Sequence, residues 1–360
     1  MRIATYNIEW FDALFDDDGR LLDNGGWSGR RDVTRAEQIA ALGHVFRTMD
    51  ADAVMVIEAP DTNRRRNTIA ALQTFAEAFD LRTSHARMGF PNATQQEIAL
   101  LFDPAMIAAR HAPAEAEDAP RFDLSFGIDL DIDATRDEVE FSKPPFEVAL
   151  RWRNRVDLRL IGAHLKSKAP HGARSRDEMM RFSIANRRKQ LAQAIWLRRR
   201  IEGHLAQGDP VIVLGDLNDG PGLDEFEALF GRSSLEIVMG HGAEALFDPH
   251  AHQALSQRVG AQPATARFMI APDNRYLQAL LDYILISPDL RDRARGWRIW
   301  HPFDDPVCWR DPVLREALLM ASDHFPVTLD LDLDGDAGCD PQDDPPDVTP
   351  RDPDGGDALA

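Results

Sequence analysis

The chain has 360 residues, of which 44% are hydrophobic and 28% are charged, and its formal net charge is -19 at pH 7. This balance is typical of a folded globular protein and excludes a fibrous or wholly disordered chain. The negative charge argues against a protein that coats polyanions along its whole surface, although a metal ion and a local basic patch can still attract phosphodiesters.

The cysteine content and the length of the apolar runs indicate the cellular compartment. The two cysteines, Cys308 and Cys339, are too few for a disulfide framework, which fits a reducing compartment. No apolar run reaches about 18 residues, so we expect no membrane span. No signal-peptide pattern opens the sequence. We therefore expect a cytoplasmic protein without an obligate protein partner, with secretion left open if the sequence has been trimmed.

Short apolar runs alternate with helical patterns along most of the chain. The apolar runs predict β-strands at residues 3–6, 53–57, 98–102, 146–152, 158–163, 211–214, 283–286 and 327–331. Amphipathic patterns predict helices at residues 34–49, 68–79 and 182–204. Strands interleaved with helices predict a two-layer sheet core flanked by helices.

Three segments lack a regular pattern. Residues 104–145 and 231–280 are rich in Ala, Pro, Asp and Gly, and we interpret them as loop insertions. From residue 334 the chain contains mainly Asp, Pro and Gly, which predicts a disordered acidic tail. A calcium-binding repeat around Asp332, Asp334 and Asp336 is the alternative for this tail, but its Gly spacing and closing Glu are missing. The predicted organisation is one domain at 1–333 and a tail at 334–360.

Polar residues that catalysis could use stand at the ends of the predicted strands. Such ends converge on one edge of an α/β sheet, where side chains from distant segments meet. An acid after the apolar run of residues 53–57 would be costly to bury without a cation or a partner. Each residue alone could also be a turn former or part of a solvated loop. The candidates are Asn7, Glu9, Glu58, His164, Asp216, Asn218, Asp282, Asp323 and His324.

Taken together, the motifs TYNIEW, VIEAPD, GAHLKSK, VLGDLND, LDYILIS and SDHFPV resemble the endonuclease/exonuclease/phosphatase superfamily in order and context. This group includes deoxyribonuclease I and the apurinic endonucleases, and the resemblance spans residues 1–331. It implies an α+β fold, a four-layered α/β/β/α sandwich of two packed mixed β-sheets flanked by helices. It also implies a Mg²⁺ or Mn²⁺ site at the strand edge.

The resemblance further implies the role of each residue. The metal ligands would be Glu58 as the principal carboxylate, with Asn7, Glu9 and Asp323. A second group would act on the substrate and the attacking water, with Asp216 and Asn218 placing the water and His324, held by Asp282, binding the phosphoryl oxygens.

His164 resembles the second histidine of the deoxyribonuclease I branch, and Glu97 resembles the acid that pairs with it there. The alternative for Glu97 is an outward strand residue in contact with water.

The segment after His164 is the most basic part of this acidic chain. Lys166, Lys168 and Arg188 are candidates for phosphate binding, although a solvated helix face would look the same. The HLKSK context resembles the bacterial extracellular-nuclease branch. We therefore expect metal-dependent hydrolysis of phosphodiesters, with nucleic acid as the substrate. The alternatives are a phosphatase or phosphodiesterase acting on a small or lipid-derived phosphoester and, more distantly, an inactive binding module.

Overall fold

The computed structural model describes residues 1–334 apart from 93, 95, 131–136, 171, 173, 221–230, 257–261 and 271–274. The predicted acidic tail lies outside these residues except for its first residue. The carboxylate of Asp334 accepts hydrogen bonds from Trp152 Nε1 at 3.2 Å and from Arg153 Nη1 at 2.9 Å. Asp334 therefore contacts the folded domain.

Strands are interleaved with helices, as the sequence predicts. The strands are β1 (Arg2–Asn7), β2 (Ala53–Pro60), β3 (His85–Met88), β4 (Gln96–Phe102), β5 (Ile107–His111), β6 (Ser125–Ile128), β7 (Asp137–Glu140), β8 (Phe146–Trp152), β9 (Val156–His164), β10 (Val211–Asp216), β11 (Ala266–Ile270), β12 (Arg275–Ala279), β13 (Asp282–Ile286), β14 (Ala294–Ile299) and β15 (Val327–Leu331). The α-helices are α1 (Arg35–Met49), α2 (Thr68–Ala78), α3 (Arg176–Ala206), α4 (Ser234–Met239), α5 (Pro249–Ser256), α6 (Pro306–Arg310) and α7 (Pro312–Ala321).

Two mixed sheets form the centre of the molecule. The first has the strand order β14-β15-β1-β2-β4-β3, and the second has the order β13-β10-β9-β8-β5. β1 is parallel to β2 and β9 is parallel to β10, whereas the other neighbours in both sheets are antiparallel. β11 pairs with β12, and β6 pairs with β7, in separate two-stranded hairpins.

Side-chain alternation along the strands builds three apolar layers. In β1, Ile3 packs between the two sheets, while Ala4 and Tyr6 pack under helices α1, α2 and α7. In β10, Ile212 also faces the space between the sheets, whereas Val213 packs against Trp196 of α3. The architecture is therefore helices, sheet, sheet and helices, and the predicted α+β four-layered sandwich is confirmed.

The two segments interpreted as loop insertions contain regular structure, so that prediction was wrong. Residues 104–145 contain β5, β6 and β7, and residues 231–280 contain α4, α5 and the β11–β12 hairpin. These elements are short, with four to eight residues each. Their apolar periodicity is too brief to stand out in the sequence. Over the described ranges, no helix has the length and apolar character that a membrane crossing requires.

Candidate active site

The ends of five strands meet at one edge of the two sheets. Because β1 and β2 run parallel, as do β9 and β10, their carboxyl ends lie on the same side. In the second sheet, Asp216 is the register partner of both His164 and Asp282, so three candidate residues lie in one row across β9, β10 and β13. Strand pairing alone therefore brings together residues that are far apart in the sequence.

A cavity of about 900 Å³ opens at this edge. Nearly all the residues proposed for metal binding and catalysis line it, while Asp282 lies behind His324. One wall is apolar and includes Phe268, Leu277 and Leu281. The predicted site residues along the cavity are Asn7, Glu9, Glu58, His164, Lys166, Lys168, Asp216, Asn218, Asp323 and His324.

His324 and Asp282 form a buried pair. His324 Nδ1 lies 2.7 Å from Asp282 Oδ2, and both residues are almost fully buried. Burial alone would lower the pKa of His324, but the carboxylates of Asp282, Asp216 and Asp323 outweigh it and raise that pKa well above its usual range. The imidazole therefore carries a positive charge at neutral pH, with Nδ1–H donating to Asp282.

Asp216 is held by three donors. Asn7 Nδ2 and Asn218 Nδ2 donate to its Oδ2 at 3.0 and 3.1 Å, and the backbone N–H of Asn218 donates to its Oδ1 at 2.7 Å. Burial, followed by the charge of Asp282, raises the pKa of Asp216 to about 7. Asn218 adopts a left-handed backbone, with φ of 50°, so the chain turns back at this residue. This turn brings its amide to Asp216.

His164 is the second histidine of the site. Its Nε2 lies 3.6 Å from Asp216 Oδ2, and its Nδ1 lies 3.1 Å from Lys143 Nζ. Burial, then the charge of Lys143, lowers the pKa of His164 well below its usual range. Because an ammonium group can only donate, Nδ1 is the acceptor and Nε2 carries the proton. His164 is thus a neutral donor that faces the acids.

Glu58 lies at a β-bulge between Ile57 and Ala59. Its φ of 64° places it in the left-handed region, which is uncommon for a residue with a side chain and directs the carboxylate into the cavity. Lys143 Nζ lies 3.3 Å from Glu58 Oε1, and Gln96 donates to the other oxygen. Burial raises the pKa of Glu58 despite the nearby lysine.

Glu9 is engaged more tightly than the sequence suggested. Arg30 forms a short ion pair with its carboxylate, and Trp10 Nε1 donates to it at 2.9 Å. Burial and then the charge of Asp323 raise the pKa of Glu9 to about 7. Glu9 is therefore paired with a cationic side chain, as Glu58 is with Lys143.

The donor set fits a hard divalent cation. Asn7 Oδ1 is buried and has no hydrogen-bond partner among the described residues, a condition that a cation would satisfy. The carboxylates of Glu58 and Asp323 lie at the same cavity, and all of these donors are oxygen atoms, which Mg²⁺ and Mn²⁺ prefer.

One tighter group of possible ligands also occurs in the described part of the chain. Single ligand atoms of Asp216, Asp282 and His324 lie within 4.8 Å of one another. A protonated imidazole cannot bind a metal ion, and its Nδ1 is already bonded to Asp282. This group therefore suits phosphate and water better than a cation.

Several residues that organise the site were not predicted from the sequence. Lys143 lies in the loop before β8, between residues that show no periodic pattern. Thr265 Oγ1 accepts from the backbone N–H groups of Leu281 and Asp282 at 3.0 Å each, which fixes the start of β13. Ser322 lies within the quoted SDHFPV motif, where its hydroxyl could have been noticed.

Ser322 Oγ connects the two loops that carry residues predicted to bind the metal ion and the phosphate. It donates to the carbonyl of Asn7 at 2.8 Å, and it accepts from the backbone N–H of Glu9 at 3.1 Å and of His324 at 3.2 Å. Gln38 of α1 adds donations to the carbonyls of Glu9 and Ala321. One serine and one glutamine therefore hold the ends of β1 and the start of β15 together.

The structure supports neither of the two interpretations of Glu97. Glu97 does not pair with His164, because its carboxylate accepts from Asn92 Nδ2 at 2.6 Å and from the Asn92 backbone, and Lys143 contacts His164 instead. Glu97 is not in water either, since it is 1% exposed and burial raises its pKa to about 7. Its neighbour Gln96 points to the site.

The basic rim also differs from the expectation. Lys166 and Lys168 line the cavity, but Arg188 is not among the described residues that do so, and Arg187 takes that place. Lys168 Nζ lies 2.6 Å from Asp219 Oδ1, and Arg187 Nη1 lies 3.5 Å from the same oxygen. Much of the positive charge on this rim is therefore matched by Asp219.

Comparison with known sequences identifies the family. A model of the Endonuclease/Exonuclease/phosphatase family matches residues 4–324. The chain belongs to this family. Its members hydrolyse phosphoester bonds with divalent metal ions, so the protein is a hydrolase acting on phosphoester bonds. The predicted family and enzyme class are confirmed. A search of curated proteins found no match.

Solved structures with a similar fold include three at 14% sequence identity. TDP2 from Caenorhabditis elegans has a TM-score of 0.48, and the match covers 91% of this chain and 73% of that one. The 3'-5' exonuclease NExo from Neisseria meningitidis has a TM-score of 0.49, with 92% and 100% covered. An endonuclease/exonuclease/phosphatase family protein from Bacteroides thetaiotaomicron has a TM-score of 0.47, with 91% and 96% covered.

Proposed function

We propose that the protein hydrolyses phosphodiester bonds in nucleic acid with a bound divalent metal ion. One observation carries this proposal: a single cavity combines the cationic His324, the buried Asp216 and the carboxylate of Glu58. A cation site, a group that can place water and a fixed positive charge are the parts that a phosphodiester displacement requires.

Asp216 places the attacking water. Its carboxylate is fixed by Asn7 and Asn218, so the remaining lone pairs have one direction in which to accept from a water molecule. Asp216 accepts the proton of that water as the water attacks phosphorus. Asn218 is held in turn by donating from Nδ2 to the carbonyl of Leu165 at 3.1 Å.

Two histidines stabilise the negative charge that develops on the phosphoryl oxygens. His324 does so as a cation that Asp282 orients, and His164 does so as a neutral donor through Nε2. Lys143 sets the tautomer of His164 and therefore acts as a positioning residue. Lys143 thus contacts His164 where the sequence analysis expected Glu97.

We assign the metal ion to Asn7, Glu58 and Asp323. Glu9 lies at the same cavity and forms an ion pair with Arg30. When bound, Mg²⁺ or Mn²⁺ supplies positive charge beside the phosphoryl oxygens. Glu58 is the principal ligand in this proposal. Its backbone has a strained positive φ, and strained residues of this kind cluster at functional sites.

Nucleic acid is the proposed substrate class. Lys166 lies at the cavity, and the HLKSK context resembles the bacterial extracellular-nuclease branch, to which we assign the protein. A small or lipid-derived phosphoester is the second candidate, because the apolar wall with Phe268, Leu277 and Leu281 could receive an apolar group. The cytoplasmic location stays a prediction.

A substrate panel tests the proposal. Supercoiled plasmid, single-stranded DNA, RNA, abasic duplex, a chromogenic phosphodiester, a chromogenic phosphomonoester and phospholipid vesicles are each incubated with Mg²⁺ or Mn²⁺. We expect the highest kcat/KM on a nucleic acid, with loss of turnover in the matched His324→Ala protein. A higher kcat/KM on the phosphomonoester or on the vesicles would contradict the nucleic-acid assignment and favour the second candidate. No turnover of any substrate would refute the enzyme proposal.

A further inference from the structure

A row of exposed aromatic rings lies beside the hairpin β11–β12. Tyr276, Phe303 and Trp309 are 48%, 37% and 52% exposed. Large rings are ordinarily buried at least in part, and a group of exposed ones marks a binding surface. We call these three rings, with the guanidinium groups of Arg267 and Arg315, the aromatic ridge.

The rings and guanidinium groups of the aromatic ridge form a continuous row. Arg267 Cζ lies 3.3 Å from the ring centroid of Tyr276 and 5.4 Å from that of Phe303. The ring centroids of Phe303 and Trp309 are 6.3 Å apart, and Arg315 Cζ lies 4.9 Å from that of Trp309. Flat groups from the hairpin, α6 and α7 are therefore arranged side by side across the surface.

The aromatic ridge begins on the other face of an element that walls the cavity. Phe268 and Leu277 are register partners in the β11–β12 hairpin and line the cavity. Because side chains alternate along strands, Arg267 and Tyr276 project from the opposite face. The backbone N–H of Arg267 also donates to the carbonyl of Asp323 at 2.7 Å. The ridge is thus connected directly to the segment that carries Asp323.

The charge of the aromatic ridge suits an anionic ligand. Within the described residues, neither Arg267 nor Arg315 forms an ion pair with a carboxylate, whereas the acids that begin α6 and α7 are engaged. Asp305 pairs with Arg298 at 2.8 Å and caps α6, and Asp311 caps α7. Both arginines can therefore contact phosphates while the ring faces that they do not cover remain available for stacking.

We propose that the aromatic ridge binds the unpaired bases of a single-stranded nucleic acid whose scissile phosphodiester enters the cavity, an inference that rests on the proposed function. Bases of any sequence can stack on exposed aromatic rings, and arginine beside such rings adds cation–π and phosphate contacts. The site would therefore favour single strands over duplexes without strong sequence preference. It also deepens the substrate assignment, since the cavity alone does not distinguish strand types.

The test measures the affinity of a fluorescent single-stranded thymidine 12-mer with phosphorothioate linkages, in Mg²⁺, by anisotropy. We expect Trp309→Ala and Tyr276→Ala each to weaken binding by at least about fivefold, and Trp309→Phe to restore most of it, because a stacked base contributes about 1–3 kcal/mol. Hydrolysis of the small chromogenic phosphodiester should stay unchanged in all three variants, since none of these side chains lies at the reacting centre.

Two matched controls separate stacking from other causes. Trp27→Ala removes another exposed tryptophan, and it should leave affinity unchanged. Val307→Ser and Val313→Ser remove exposed apolar side chains near the ridge that cannot stack on bases, and they should also bind normally.

The possible outcomes distinguish failure of the ridge proposal from failure of the proposed function. Unchanged 12-mer affinity in both alanine variants, with nucleic-acid hydrolysis intact in the wild type, would overturn the ridge and leave the proposed function standing. Failure of the wild type to hydrolyse any phosphodiester would instead refute the proposed function. Weakened self-association in the valine variants, with normal 12-mer binding in the ring variants, would show that this surface binds a second copy and would also overturn the proposal.

Discussion

Asp216 and His324 are the residues in which burial, hydrogen bonding and charge are most tightly combined. Each is nearly fully buried, and each is oriented by other polar side chains. Buried charges persist only where partners compensate for the loss of water. The compensation here consists of Asn7 and Asn218 around the carboxylate and of Asp282 behind the imidazole. Such fixed groups need little rearrangement when the transition state forms.

We expect His324→Ala and Asp216→Asn each to lower kcat by about two to three decades, because each removes one preorganised group acting on the transition state. The double variant should lose less than the product of the two single losses, since both residues act on the same step. Steady-state kinetics with circular dichroism as a folding check gives the measurement. Wild-type turnover in a folded single variant would remove that residue from the mechanism.

Lys143 should affect catalysis through His164. Lys143→Met removes the donor to His164 Nδ1 and the cation at Glu58, and we expect kcat to fall by about 10- to 100-fold, the usual cost of losing an orienting contact. Lys166→Met is the matched control, because Lys166 lines the same cavity and should change KM more than kcat. The same split between kcat and KM in both variants would contradict a positioning role.

At the scale of elements, the hairpin β11–β12 and the start of β13 form one unit. Thr265 precedes the hairpin, and its hydroxyl accepts two backbone N–H groups at Leu281 and Asp282. This contact sets where β13 begins and hence where Asp282 meets His324. Helix α3 stabilises the opposite wall through a buried polar side chain, since Gln193 Oε1 accepts from the backbone N–H of Lys166 at 2.8 Å.

Thr265→Val should therefore destabilise the fold as well as the site. Two buried N–H donors would lose their acceptor, at about 1–3 kcal/mol for each group. Thr265→Ser keeps the hydroxyl and should retain most of the stability. Urea unfolding measures the difference, and kcat shows whether Asp282 has moved. Equal unfolding free energies for the valine and serine variants would show that the hydroxyl does not support β13.

At the scale of the whole molecule, the site lies where both sheets end. Asn7 and Glu58 come from the first sheet, whereas His164, Asp216 and Asp282 come from the second. The hydrogen bond from Asn7 to Asp216 crosses between them. Correct placement of the proposed catalytic groups therefore depends on how the two sheets pack against each other.

Metal removal should affect both activity and stability. We expect chelation to abolish turnover and Mg²⁺ or Mn²⁺ to restore it, because the ligands are hard oxygen donors. A cation that binds only the folded state should also raise the unfolding temperature. At a free-ion concentration 100-fold above Kd, it adds about 2.7 kcal/mol to the free energy of unfolding. Calorimetry of the wild type and of Glu58→Gln, which should lose this shift, gives a readout independent of turnover. Full activity after exhaustive chelation would exclude the metal assignment.

The tail should contribute little to the stability of the domain. Residues 336–360 contain mainly Asp, Pro and Gly, with few side chains able to join a core. We expect their deletion to leave the unfolding temperature within measurement error in differential scanning fluorimetry. A large fall would indicate that the tail docks on the domain.

The sequence by itself was sufficient to predict the layers of the fold and to select most of the candidate residues that line one cavity. Strands such as Phe146–Trp152 and Val327–Leu331 occur where their apolar runs predicted them, because apolar residues recur at every second position along a strand that packs one face on the core. Asp216 and His164 were visible because each is a polar residue at the end of such a run. A polar residue at the end of an apolar run can be recognised from the local sequence alone, without knowing which strands lie beside it.

Only the tertiary structure decided which partners those residues meet. Lys143 and Glu58 are 85 positions apart, and no local pattern connects them. The structure places Gln96 instead of Glu97, and Arg187 instead of Arg188, at the site. Both differences have the same cause. Neighbouring residues point to opposite faces of a strand and about 100° apart around a helix, so the sequence narrows the choice to adjacent positions. Which of the two faces the site depends on how the elements pack, and that packing involves residues from the whole chain.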